Sequence, residues 1–266
     1  MSNFETKMTT KQHLLSLLSA AGENYVSGSK IAGELGISRA AVWKQMKALS
    51  EDGYEIEDVT NRGYRLSGQN DVLSKACVLR YLDAAIDPAL LDVREEITST
   101  NTVLKGEADH LPEGSAIIAG MQTAGRGRSG RSFYSPKDTG LYLSVLLKPA
   151  ISAAGATRIT TVAAVAACLA IEECSDAKPA IKWVNDVFVE GRKVCGILTE
   201  ASLDLESGGL AWAVMGIGFD VYEPAGGYPE EIKDIAGAIA KTREKDLRAR
   251  LAAAFLKHFY ALCEDL

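Results

Sequence analysis

Apolar positions in the first fifty residues recur at helical spacing. Leu14, Leu15, Leu17 and Leu18 mark one stripe and predict a helix from Thr10 to Ala21. Val26-Ser27-Gly28 breaks the pattern, and Ser27 or Ser29 can cap a short helix from Lys30 to Leu35. Gly36 reads as a turn. Ser38 then caps a helix from Arg39 to about Ser50, with Val42, Met46 and Leu49 facing inward. Beyond it the period falls to two. Tyr54 to Glu57 and Gly63 to Leu66 alternate on either side of Asn61-Arg62-Gly63, which predicts a small hairpin. Two short helices across a glycine turn, followed by a hairpin, form the pattern of a helix-turn-helix with a wing.

A polar stretch at 68–75 predicts a junction between a unit at 1–67 and a larger one at 76–266. Ser74 to Leu82 reads as a helix and Val93 to Ile97 as a strand. The hydroxyls of Thr98-Ser99-Thr100-Asn101 either cap a helix from Thr102 to Ala108 or meet a ligand, and composition favours capping. Ala116 to Ala119 and Leu141 to Leu147 are apolar enough for buried strands. Thr157 to Cys174 is an alanine-rich helix with a threonine cap, and its small side chains permit close packing on a sheet. Ile181 to Val189 and Lys193 to Glu200 flank a turn at Glu190-Gly191-Arg192. Simple alternation sets Lys193 on the same side as Cys195 and Ile197. Ala211 to Phe219 is a further buried strand through Gly216-Ile217-Gly218. A short helix is expected near Ile232 to Ala240, and a final one from Asp246 to Leu262.

Composition narrows the classes. A chain of 266 residues has room for about two domains. The net charge of -6 excludes an overall basic field drawing it to nucleic acid or lipid. The first 66 residues carry eight basic and eight acidic side chains, so any nucleic-acid contact must come from a local surface. The five cysteines are odd in number and lack metal-ligand spacing, which fits buried thiols in a reducing compartment. No signal-type or membrane-spanning apolar run occurs, and the reading is a cytoplasmic protein that does not enter the membrane.

Two stretches carry candidate chemistry. In Gly120 to Arg131, three arginines alternate with glycines and no acid stands among them. Such a loop repels itself unless it meets an anion, and glycine lets its backbone come close to a ligand. A solvated turn with scattered positive charge is the plainer reading, and the glycine spacing matches neither standard phosphate loop. The second stretch sets Lys182, Asn185 and Asp186 among apolar residues, where charge must be paired or used. It can equally be a surface turn. Joined with Lys193 and Ser99-Thr100, these parts suit a nucleotide with magnesium, Asp186 holding the metal and the lysines and arginines the phosphates. No serine elbow or Cys-His pair is present. Acyl or nucleotidyl transfer between two bound substrates is therefore expected, without a covalent enzyme intermediate.

Residues 8 to 67 resemble the winged helix-turn-helix domains of bacterial regulators. The resemblance implies that Ser38, Arg39, Trp43, Lys44 and Lys47 face DNA and that Arg62 on the wing lies near phosphate. A neutral winged helix can also mediate protein contacts, and Trp43 can be a packing residue. The larger part resembles the biotin–protein ligases. With its winged helix, the chain from 8 to 262 resembles the bifunctional bacterial ligases that also repress biotin operons. This implies an α+β fold: a winged helix-turn-helix followed by a mixed-sheet α/β catalytic domain of the biotin/lipoate ligase type.

The same resemblance implies the site. Gly125 to Arg131 corresponds to a loop that orders over biotin and its adenylate. Ser99, Thr100, Gln122, Arg126, Gly127, Arg128, Lys193 and Gly196 would meet biotin, with Lys193, Arg126 and Arg128 catalytic. Arg128, Arg131, Lys182, Trp183, Asn185 and Gly218 would meet ATP, and Asp186 would meet Mg2+. A biotin carboxyl carrier domain, operator DNA and a second copy of the chain in the ligand-bound form are the implied partners. Val184 stands where the family has proline, and Asp220 where it has asparagine. The family's bifunctional members carry a small C-terminal β-domain, expected where this sequence stops. Two other readings follow: a biotin-sensing repressor with weak or no catalysis, and a lipoate ligase-like enzyme.

Overall fold

A computed structural model describes residues 9–51, 54–67, 70–149, 151–152, 155–204 and 209–264. The N-terminal part has three helices, α1 (Thr10–Ala21), α2 (Gly28–Leu35) and α3 (Arg39–Glu51), and a hairpin of β1 (Ile56–Val59) with β2 (Gly63–Leu66). Each helix starts where a hydroxyl can accept an orphan backbone N–H. Thr9 and Gln12 form a reciprocal capping box on α1, Ser27 accepts from Lys30, and Ser38 accepts from Ala41. Leu14, Leu18, Ile31, Val42 and Leu49 lose essentially all contact with water and form one core. The first wing strand starts two residues later than alternation suggests. Tyr54 N–H donates back to the Leu49 carbonyl and Glu55 N–H to Asn70 Oδ1, so both are taken before the ladder begins. Val26 and Tyr64 exchange two backbone hydrogen bonds, stitching the wing to the α1–α2 connection. Gly63, at φ +104°, permits this approach, since a Cβ there would run into the Val26 carbonyl.

The larger part is built on seven strands: β3 (Leu91–Arg94), β4 (Ala116–Ala119), β5 (Gly140–Leu147), β6 (Pro179–Lys182), β7 (Asp186–Val189), β8 (Arg192–Leu203) and β9 (Leu210–Asp220). Their order is β3-β4-β5-β9-β8-β7-β6. Only β3 and β4 run parallel, so the sheet is mixed. Helices α4 (Lys75–Tyr81), α6 (Ala156–Cys174) and α7 (Leu247–Cys263) contribute to the large core, and α5 (Thr100–Gly106) to a smaller one. Strand β4 divides by period two between them: Ala116 and Ile118 enter the large core, Ile117 and Ala119 the small one. Both faces of the central strands are thus covered, which is why they read as unbroken apolar runs.

Several boundaries differ from expectation. Helix α5 starts at Thr100, because Ser99 accepts from Thr102 N–H and caps it. Helix α6 starts at Ala156 behind Gly155, which supplies no side-chain cap, so the expected threonine cap is absent and Thr157 lies inside the first turn. The expected helix at 232–240 does not form beyond a turn. Lys193 N–H donates to Ile235 O and Gly237 N–H to Lys193 O, so Ala236 runs as a short parallel bridge beside β8. Among the described residues no helix is long and apolar enough to cross a membrane.

Two residues of the expected junction, Asp71 and Val72, are buried. Val72 packs into the winged-helix core, and Asp71 is buried against Arg248 of α7. Arg248 donates from Nε to Asp71 Oδ2 at 2.9 Å, from its backbone N–H to Oδ1 at 3.1 Å, and from Nη2 to the Asp71 carbonyl at 2.6 Å. Asp71→Asn should therefore leave a buried guanidinium short of its counter-charge. Denaturant unfolding should register a loss of about 3–5 kcal/mol. Replacing both partners with apolar residues of similar volume should cost less than that single change. A single-variant loss below about 1 kcal/mol would remove the pair as the pin of the junction.

Candidate active site

A cleft opens between α5, the glycine-arginine loop and the β8–β9 strands. Its floor is set by register. Gly196 of β8 lies opposite Gly218 of β9. The Phe133 ring lies on both: a Cβ at Gly218 would stand 2.5 Å from it, and one at Gly196 2.9 Å. Phe133 also meets Tyr142 edge-on at 6.3 Å between ring centroids. At Gly216 a Cβ would run into the Asn101 amide. Glycine at these three places makes room for side chains from above the sheet.

The wall from α5 is a polar chain. Thr100 donates from its backbone N–H and its hydroxyl to Gln122 Oε1, at 2.9 and 3.2 Å. Gln122 Nε2 donates to Ser135 Oγ at 3.0 Å. The glycine-arginine segment is itself a tight hairpin. Phe133 N–H donates to the Gly125 carbonyl and Gly127 N–H to the Arg131 carbonyl, with Ser129 and Gly130 left-handed at its tip. This fold presents Arg126 and Arg128 to the cleft while Arg131 stays on the outside.

The cations are paired across the cleft. Arg128 Nη1 donates to Asn185 Oδ1 at 3.0 Å. Lys193 Nζ lies 2.7 Å from Asp186 Oδ1. Arg126 and Lys105 both reach Glu200 Oε1, at 3.2 and 2.8 Å. Lys193 owes its position to a β-bulge. Phe188 pairs with Lys193 while the preceding Val187 pairs with Cys195, so Val194 is the extra residue of β8. The bulge breaks the alternation: Cys195 and Ile197 face the large core, whereas Lys193 Nζ lies on the Gly196 side. The expectation that Lys193 shares a face with Cys195 and Ile197 is therefore corrected.

Two carboxyls are shifted in opposite directions. Burial raises the Glu200 pKa, but hydrogen bonds from Lys105 and Asn101 and the nearby Arg126 charge outweigh it and hold the group below the usual range. Asp220 retains some accessible surface, yet crowding at the end of β9 makes burial dominant. Its pKa is pushed up to about 8, with Lys193 only partly opposing the rise. Burial also pushes the Cys195 thiol well up, so it offers no thiolate nucleophile.

All eight residues expected to meet biotin line the cleft: Ser99, Thr100, Gln122, Arg126, Gly127, Arg128, Lys193 and Gly196. Of those expected at ATP, Arg128, Asn185 and Gly218 line it, while Arg131, Lys182 and Trp183 do not. Lys182 is exposed with its ammonium 5.2 Å from the Phe188 ring, and Trp183 is 74% exposed, so this corner is not the apolar setting that its sequence suggests. The Trp183–Val184 peptide is cis. Asp186 borders the cleft through its pairing with Lys193. Sequence reasoning passed over Phe133, Lys105 and Glu200. It also missed Ser144, whose hydroxyl donates to Asn101 Oδ1 at 2.6 Å. A lone serine within the apolar run of β5 was the available signal for that contact.

In the winged helix, Ser38, Arg39, Trp43, Lys44, Lys47 and Arg62 are all exposed. Trp43, at 57%, is not a packing residue. Lys47 Nζ lies 6.0 Å from its ring, and the Arg62 guanidinium stacks at 4.5 Å over Tyr25.

A helix-turn-helix unit ahead of a mixed-sheet domain with a cation-lined, glycine-floored cleft defines the class: a ligase-type domain joined to a regulator-type one. Residues 93–220 match the Biotin/lipoate A/B protein ligase family, and residues 10–65 match an HTH domain. The bifunctional ligase/repressor BirA of Bacillus subtilis is 36% identical over 236 residues, covering 88% of this chain and 72% of that protein. BirA of Escherichia coli is 34% identical over 213 residues, covering 80% and 64%. The solved biotin protein ligase of Aquifex aeolicus, in complex with biotin and ATP, superposes with a TM-score of 0.56 at 31% identity, covering 66% of this chain and 70% of that one. The chain belongs to the BirA family of bifunctional biotin ligase/repressors.

The Asp220 shift predicts a pH effect on stability. Its folded pKa of about 8 stands above the ordinary 3.8, so the fold takes up a proton. The associated stability is present below the ordinary value and is lost as pH rises through the folded one. Asp220→Asn should therefore melt at nearly the wild-type temperature in acid and at a progressively higher relative temperature from pH 5 to pH 9. A melting difference that stays constant across that range would exclude burial of the charge as the cause.

Proposed function

We propose that this chain attaches biotin to a lysine of a biotin carboxyl carrier protein through biotinoyl-AMP, consuming ATP, and that its N-terminal unit represses biotin genes. In this reading residues 1–67 are the DNA-binding domain, 68–75 the junction and 76–266 the catalytic domain. The observation that carries it is the meeting of Arg126, Arg128 and Lys193 over a floor of Gly196 and Gly218, beside Ser99, Thr100 and Gln122. The Aquifex relative, described with biotin and ATP, supports the choice of substrates.

In the first step a biotin carboxylate oxygen attacks the α-phosphorus of ATP and pyrophosphate leaves. Two anions must approach each other, and Lys193, Arg126 and Arg128 offset their charge. Ser99, Thr100 and Gln122 orient the biotin ring, and Gly218 and Asn185, with Arg131, Lys182 and Trp183 further out, serve the nucleotide. In the second step the neutral amine of the acceptor lysine attacks the mixed anhydride. An amide forms, AMP leaves and the amine loses its proton. The hairpin from Gly125 to Arg131 shields the anhydride from water.

Magnesium fits as a companion of the triphosphate. Among the described residues no group of three or more His, Cys, Asp or Glu side chains is poised to hold an ion. Asp186, flanked by Asn185, offers one carboxylate, which suits an ion that takes its other oxygens from phosphate and water. There it would offset phosphate charge.

On the regulatory side, Ser38, Arg39, Trp43, Lys44, Lys47 and Arg62 meet operator DNA. A homodimer of the adenylate-bound form pairs two such surfaces, and the adenylate serves as both intermediate and corepressor.

Incubation with biotin, ATP and Mg2+ should release pyrophosphate. Adding a carrier domain should then yield AMP and a biotinylated lysine, read by mass spectrometry. Adenylate without transfer would favour the sensing repressor, and turnover with lipoate instead of biotin would favour the lipoate enzyme. Separately, Arg128→Ala should leave the melting temperature unchanged and speed adenylate dissociation by about tenfold, the order expected for one lost charge-assisted hydrogen bond. An unchanged dissociation rate would rule out this side chain as part of the shield.

A further inference from the structure

Glu200 has no part in the reaction outlined above and stands just behind the cleft lining, yet it holds Arg126, which does line the cleft. It lies on β8, 19% exposed, and takes three donors from three directions. Lys105 of α5 reaches it at 2.8 Å, Arg126 of the hairpin at 3.2 Å, and Asn101 Nδ2 at 3.2 Å. Asn101 is itself fixed. It donates to the Leu198 carbonyl at 3.2 Å, accepts from Ser144 at 2.6 Å, and sits where Gly216 leaves space. The sheet thus holds Asn101, Asn101 helps hold Glu200, and Glu200 holds two cations on separate elements.

Two cations sharing one acceptor oxygen would repel each other without it. The hairpin carrying Arg126 is tied within itself by bonds to Phe133 and Arg131, while the Arg126 side chain is 46% exposed. A half-exposed arginine does not hold one rotamer against its conformational entropy unless a partner restrains it. Glu200 supplies that restraint from β8, an element separate from the hairpin. Its carboxylate also cancels one of the two positive charges, leaving a single net cation at that end of the cleft.

We propose that Glu200 is a positioning residue: it fixes Arg126 over the cleft so that the guanidinium meets the carboxylic acid substrate already oriented. This rests on reading the cleft as the site of a carboxylate. Its distinguishing property is dependence on Arg126, because a residue acting only through Arg126 has nothing to act on once that side chain is gone.

The test uses the full chain with Glu200→Gln, Arg126→Ala and the double variant, each first checked by thermal melt. Pyrophosphate release by the wild type from biotin and ATP tests the underlying reading by itself. With that activity in hand, Glu200→Gln should raise the KM for biotin by about tenfold while changing the KM for ATP less than about twofold. In the Arg126→Ala background the same change should have no further effect. A readout independent of activity is trypsin cleavage within 126–131, which should become severalfold faster in Glu200→Gln as the hairpin loses one of its two side-chain anchors, the other being Arg128 on Asn185. Equal KM effects in both backgrounds, or an unchanged cleavage rate, would overturn the proposal. If the wild type releases no pyrophosphate, the reading fails, and the cleavage rate still decides whether Glu200 anchors Arg126.

Discussion

Positive side chains brought into one cleft repel one another, and the architecture of the larger domain answers that repulsion. Arg126, Arg128 and Lys193 come from a hairpin and a strand, Lys105 stands beside the cleft on a helix, and each meets an oxygen acceptor. Those acceptors, Glu200, Asp186 and Asn185, stand on β8, at the start of β7 and in the residue just before it. The sheet therefore carries the counter-charges, while the less regular parts of the chain carry two of the cations. Such a division sets a cluster of like charges on a frame of fixed acceptors.

Sheet geometry is modified at two places to make this possible. The bulge at Val194 turns Lys193 onto the cleft side while leaving Cys195 and Ile197 in the core. The segment after Pro229 then runs alongside and takes both backbone groups of Lys193, at 2.8 Å each. A residue expelled from regular alternation is thereby held on two sides. The glycines at 196, 216 and 218 perform the complementary task, keeping the strands bare where Phe133 and Asn101 descend. Close approach of side chain to backbone, rather than turn formation, is what requires glycine there.

The connection to the winged helix follows the same logic of a paired charge at a place that would otherwise be loose. Asp71 and Arg248 tie the junction to α7, and Asp246 at the start of that helix takes Arg80 and Tyr81 from α4. Glu95, at the end of the β3 region, accepts from Gln12 of α1 and pairs with Lys137, four residues after Phe133 of the cleft. Polar anchors with partners far apart in sequence thus join the two units.

Period and punctuation determined most of the elements. The stripes of α1 and α3, the serine caps, the wing and the apolar strands were all readable, because local spacing and capping chemistry are properties of consecutive residues. The candidate site was legible as stretches: the arginine hairpin, the Asn185-Asp186 corner and Lys193. Tertiary structure decided what those stretches do to one another. Spacing gave no sign that Val194 bulges, that 232–240 bridges β8 at Ala236 instead of forming a helix, or that Lys182 and Trp183 turn outward. Nor did it link Glu200 to Lys105 and Arg126, or Asp71 to Arg248. Those pairings join residues tens to nearly two hundred positions apart, and their energy comes from desolvated charge that exists only once the sheet and helices have closed around it.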